Sequence, residues 1–84
     1  MPVTVTIKNM EFSPDPVEVK AGDSVIWENK DNMTHTATSD EEGGWDTKRI
    51  AAKTSSKPIK FDKKGESPYH CEIHPNMTGT VNVI

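Results

Sequence analysis

Thirteen acidic and ten basic side chains leave this 84-residue chain with a formal net charge of −3, and only 32% of it is apolar. That length allows one small domain, 1–84, and a lone cysteine excludes an internal disulfide to staple it. Lysines without interleaved aromatics in an acidic chain exclude a nucleic-acid surface. No stretch approaches the ~20 apolar residues of a membrane span, which reads as a soluble protein.

Strand-like alternation of apolar and polar residues begins at once. Val3, Val5 and Ile7 point one way and Thr4, Thr6 and Lys8 the other, until Pro14-Asp15-Pro16 breaks the run. Val17 and Val19 repeat the pattern before an Ala21-Gly22-Asp23 turn, and Val25 and Trp27 continue it as far as the turn residues Asn29 to Asn32. Asp40, Glu41 and Glu42 form an acidic cluster ahead of Gly43-Gly44. From Thr47 onward Lys48, Arg49, Lys53, Lys57, Lys60, Lys63 and Lys64 reverse the local sign. Both runs read as solvated faces, with electrostatic steering of a partner as the functional alternative. Thr47 to Ser56 is the one helical candidate, yet it is short, lacks a sustained apolar stripe, and reads as loop or extended chain. Ile59 and Phe61, then Val81 and Val83, complete the alternating pairs. Short strands separated by frequent turns predict an all-β Greek-key sandwich or barrel of about seven or eight strands.

The chemistry is concentrated in Tyr69-His70-Cys71-Glu72-Ile73-His74-Pro75-Asn76-Met77. A helix cannot aim Cys71, His74 and Met77 at one point, and Pro75 disfavours helix at His74. A tight loop leaving a strand can converge all three. Singly, Cys71 could be a small buried hydrophobe, His74 a loop histidine and Met77 core filler. Together they are soft ligands, and a remote histidine, His35, makes the set His₂Cys with a weak methionine, that of a blue-copper electron-transfer centre. Tyr69, two residues before the cysteine and just after a turn, matches a tyrosine-corner position. Tyr69 and Cys71 then face inward and His70 outward, so His70 reads as a surface residue. Met10 and Met33 read as packing or rim residues, and Trp27 and Trp45 as core and core edge.

These stretches resemble the cupredoxin family, and the short Cys-x₂-His-x₂-Met loop resembles its amicyanin subgroup. The segment from Val17 to Trp27 is similar to the family's strand, Gly-Asp turn, strand. Met33-Thr34-His35-Thr36 is similar to the segment carrying its first histidine ligand, and Gly79 to Val83 to its closing strand. The chain is shorter than members usually run, and Ile73 stands where many carry proline. The resemblance implies one type 1 copper ion held by His35, Cys71, His74 and Met77. It implies no enzyme but a monomeric carrier of single electrons between a transient protein donor and acceptor. His74 is then the electron port, with its outer edge at the surface beside Met33 and Pro75. Asn32 and Thr36, flanking His35, are expected to hydrogen-bond across to the Cys71 loop. A periplasmic or otherwise extracytoplasmic location is also implied, with an export signal removed and Met1 supplied by expression. The alternative is a copper carrier, storage or sensor protein using the same ligands; a single thiol and the absence of paired methionines argue against it.

Overall fold

The computed structural model describes residues 2–84, so the reading of Met1 lies outside them. Eight strands run in chain order: β1 (Val3–Lys8), β2 (Glu11–Ser13), β3 (Val17–Val19), β4 (Asp23–Asn29), β5 (Thr38–Ser39), β6 (Ile59–Phe61), β7 (Gly65–His70) and β8 (Thr78–Val83). They form two four-stranded sheets, in the orders β2-β1-β4-β6 and β3-β8-β7-β5. Each sheet mixes directions, because β1 runs parallel to β4 and β3 parallel to β8. Such pairs need crossovers between the sheets, and the result is the expected all-β sandwich.

The alternating residues supply the core. Val5, Ile7, Val25 and Trp27 from one sheet meet Val17, Val19, Tyr69, Val81 and Val83 from the other, all buried. Trp27 fills the centre: it stacks on Trp45 at 5.0 Å and meets the Tyr69 ring edge-on at 5.4 Å. Burying such side chains is worth roughly 1.5–3 kcal/mol each against leaving them in water, the main term holding so small a sandwich together.

Two glycines carry specific duties. Gly22 sits at φ 99° in the turn into β4, where its N–H donates to the Phe61 carbonyl at 2.7 Å. Gly79 lies opposite Tyr69 across the β7–β8 ladder, and a Cβ there would come within 2.6 Å of the phenol ring carbon and oxygen. Tyr69 and Cys71 do face inward, and His70 is partly exposed. The tyrosine-corner expectation is met in position only. The Tyr69 hydroxyl is buried without a hydrogen-bond partner, as is the Trp27 ring nitrogen. Burial pushes the phenol far above its ordinary value, offset only partly by the nearby Trp27.

Thr47 to Ser56 is not helical. Single bridges tie this stretch to the rest of the chain, among them His35↔Ile50 and Glu28↔Ser55. That tether places it beside the functional end of the molecule.

Candidate metal centre

Cys71 is the first residue beyond β7, fully buried, and the loop it opens closes on itself. The Cys71 N–H donates to the Met77 carbonyl at 3.0 Å, and the Met77 N–H donates to the His74 carbonyl at 2.9 Å. The chain therefore turns back within seven residues, and Met77 is buried at its far end, 5% exposed. Pro75 lies exposed in the bend, where it needs no N–H partner.

His35 arrives from the segment after β4 and is fully buried. Its backbone pairs twice with Ile50, His35 N–H to the Ile50 carbonyl at 3.1 Å and the reverse at 2.7 Å. Asn29, the last residue of β4 and 1% exposed, braces the same segment. Its side-chain amide donates to the carbonyls of Met33 at 2.8 Å and Ile50 at 3.0 Å, and its oxygen accepts the Asp31 N–H at 3.0 Å. Asp31 in turn accepts from the His35 ring, Nε2 to Oδ2 at 2.8 Å. A carboxylate can only accept, so a proton sits on Nε2, and in the neutral ring that leaves the Nδ1 lone pair facing Cys71. Burial disfavours the Asp31 charge, but the Met10 N–H, His35 and the Asn9 N–H together hold its carboxyl below the ordinary value of 3.8.

The two loops meet at sulfur. His35 Nδ1 lies 3.7 Å from Cys71 Sγ, and the Thr36 N–H donates to that sulfur at 3.4 Å. Thr36 makes a second crossing, its hydroxyl accepting the Glu72 N–H at 2.9 Å. The cross-loop bonds expected of Thr36 are present; Asn32 is exposed and makes none among the described residues.

The His74 ring approaches the His35 ring, centroids 5.3 Å apart. His74 is half-buried rather than wholly at the surface, and its Nε2 is buried without a hydrogen-bond partner. No three His, Cys, Asp or Glu side chains among the described residues already converge at metal-binding distance. Brought together are His35 and Cys71 in direct contact, His74 ring-to-ring with His35, and Met77 by the backbone bond that closes the Cys71 loop. A buried thiol, an imidazole lone pair aimed at it, and an orphaned buried ring nitrogen are a donor set suited to a soft metal.

His70, on the outer side of β7, stands apart. Its two ring nitrogens meet Asp40 and Glu72, and the Asp40 hydrogen bond raises its pKa above the ordinary 6.5, against burial and with help from Glu72. That pairing accounts for the third histidine without the site. Asn29 and Asp31 were not singled out in the sequence. The available signal was a carboxylate four residues before a candidate ligand histidine, inside a run that otherwise reads as turn.

Comparison with known proteins points the same way. A family model described as a cupredoxin-like domain matches residues 1–83. The amicyanin of Paracoccus versutus is 34% identical over 85 residues, spanning 96% of this chain and 64% of its own. The chloroplastic plastocyanin of Tetradesmus obliquus is 36% identical over 83 residues, spanning 86% of this chain and 57% of its own. The chain thus spans less than two thirds of either relative's length. Among solved structures, a reduced amicyanin variant superposes with a TM-score of 0.90 at 26% identity, covering 99% of this chain and 82% of that one. The copper-containing nitrite reductase of Thermus scotoductus superposes at 0.88 and 30% identity, covering all of this chain but only 22% of the reductase.

Proposed function

Because this chain belongs to the cupredoxin-like family, we propose that it is a small type 1 copper protein carrying single electrons between transient protein partners. His35, Cys71, His74 and Met77 hold the metal, and 1–84 works as a single cupredoxin-like domain. One bound copper ion supplies the one-electron Cu(II)/Cu(I) exchange. The observation that carries the reading is the contact of Cys71 Sγ with His35 Nδ1 at 3.7 Å in a fully buried setting.

The protein's own part is to hold donors still and keep water out. The Thr36 N–H on the cysteine sulfur stabilises negative charge there, which favours the reduced centre and raises its potential. The Cys71–Met77 loop is braced by its own backbone bonds, so the donors need little movement when the charge at the site changes. Met33 and Ile73, 45% and 39% exposed, give the loops of the site an apolar rim suited to brief docking. The acidic cluster at Asp40 to Glu42 and the later lysines supply opposite charges for steering.

The likeness to a nitrite reductase covers about a fifth of that enzyme, so it supports a shared fold and no reductase activity. The likeness to amicyanin and plastocyanin supports a carrier rather than an enzyme; a monomer working outside the cytoplasm is part of the same proposal. No helix among the described residues is long and apolar enough to cross a membrane.

Titration of the apoprotein with Cu(II), followed by visible absorption and EPR, tests this. An intense charge-transfer band saturating at one equivalent, with narrow parallel hyperfine splitting, is expected. A pale, tetragonal spectrum would overturn the electron-carrier reading and bring the copper-carrier alternative forward.

A further inference from the structure

The turn between β1 and β2 places Asn9 and Met10 both in the left-handed region, at φ 53° and 62°. For residues with side chains this conformation costs on the order of 1 kcal/mol each and needs support from elsewhere. The support is Asp31. The Asn9 N–H donates to its Oδ1 at 2.7 Å and the Met10 N–H to its Oδ2 at 3.1 Å, while His35 Nε2 donates to the same Oδ2 at 2.8 Å. Three donors thus converge on one carboxylate whose side chain is 13% exposed, and the histidine it holds is fully buried. Its own N–H is anchored on Asn29.

We propose that Asp31 is the positioning residue of the His35 half of the site. Clamped by the Asn9–Met10 turn, its carboxylate holds the His35 proton on Nε2, keeps the Nδ1 lone pair facing Cys71, and places a negative charge behind the imidazole. The inference rests on the copper reading above. A carboxylate hydrogen-bonded to the far side of a ligand imidazole raises the ligand's basicity, and loss of such a partner weakens metal binding 10- to 100-fold. A negative charge there favours Cu(II) over Cu(I), so this residue lowers the potential while the Thr36 N–H raises it. The chemistry of the side chain is restrictive. Asparagine has one acceptor oxygen; directed at the Oδ2 position it keeps His35 and Met10 but turns its NH₂ against the Asn9 N–H. Asp31→Asn therefore removes the charge with the ring still tethered, and Asp31→Ala removes both.

The test has two readouts. In the copper-free protein, ¹H–¹⁵N spectra should show His35 protonated on Nε2 and slow to exchange with water. That protection should survive in Asp31→Asn and vanish in Asp31→Ala, while thermal melts confirm that both variants fold. In the copper-loaded protein, Asp31→Asn should lower Cu(II) affinity about tenfold more than Cu(I) affinity, a rise in potential of about 59 mV. Asp31→Glu, which keeps the negative charge, should hold the potential near that of the wild type. An unprotected Nε2–H in the wild type, equal protection in Asp31→Ala, or an unchanged potential in Asp31→Asn would overturn the inference. A wild type that shows the imidazole signature but forms no type 1 centre would overturn the copper reading, leaving the clamp supported.

Discussion

Asn29→Ala isolates the brace behind the His35 segment, and its cost can be worked out bond by bond. The side chain makes three hydrogen bonds of good geometry, at 2.8, 3.0 and 3.0 Å; a fourth approach, to the Ala51 carbonyl at 3.4 Å, is too long to add much. Each good bond is worth about 1 kcal/mol net, so about 3 kcal/mol is lost. The penalty does not climb higher, because the Ile50 carbonyl keeps the His35 N–H and Met33 is exposed enough for water to replace its partner. Against a total of roughly 4–13 kcal/mol for a domain of this length, that loss is severe. It corresponds to a fall in Tm of about 12–24 °C. Urea unfolding of the apoprotein, followed by the fluorescence of buried Trp27, reads it directly. The midpoint should fall with the slope unchanged, and Asn29→Asp should be at least as damaging, since it turns an oxygen toward carbonyl oxygens. A loss below about 1 kcal/mol would show that the segment is held by the His35–Ile50 pairing alone and refute the brace.

Three further substitutions probe the surroundings. Gly79→Ala forces a methyl into the Tyr69 ring and should cost about 1–3 kcal/mol in apoprotein unfolding, with partial relief in the double variant carrying Tyr69→Leu; additive losses would refute the contact. Thr36→Val leaves its N–H on the cysteine sulfur but strips the acceptor from the Glu72 N–H, and should cost about 1–2 kcal/mol by the same assay. His70 gains its proton more readily folded than unfolded, through Asp40 first and Glu72 second, so its stabilising contribution is complete below pH 6.5 and fades as pH rises through its higher folded value. Melting temperatures of the wild type should therefore drop more than those of His70→Gln between pH 6 and pH 8; parallel curves would contradict the pairing.

What could be read from the chain follows the range of the interactions involved. The alternation at Val3 to Ile7 and Val81 to Val83 was legible because a half-buried strand repeats every two residues, and the Cys71 loop because three soft donors fall within seven positions. β5, only two residues long, has no period to show; it exists because Thr38 and Ser39 meet His70 and Tyr69 on β7. The same holds for Thr47 to Ser56, whose shape is imposed by the pairing of Ile50 with His35 across the fold. Asn29 and Asp31 look like turn formers in sequence, since that is the commonest use of such residues. The Asn29 brace depends on the Ile50 carbonyl 21 residues away and the Asp31 clamp on a hairpin turn 22 residues before, and only the four-residue spacing of Asp31 to His35 is local.

The placement of the site also bears on how it is stabilised. His35 follows β4 of one sheet and Cys71 follows β7 of the other, so the candidate donors straddle the two layers. Thr36 ties the two loops together there, through one bond to sulfur and one to the Glu72 N–H. A metal held by both loops would add a further cross-link there, to a chain whose single cysteine permits no internal disulfide. Binding to the folded state alone contributes about 2.7 kcal/mol at a hundredfold excess over Kd. That is close to what the Asn29 brace supplies on its side of the seam. The same small set of residues therefore orders the candidate donors and would share the load with a bound metal, so damage to either loop should be felt first at the sheet-to-sheet contact.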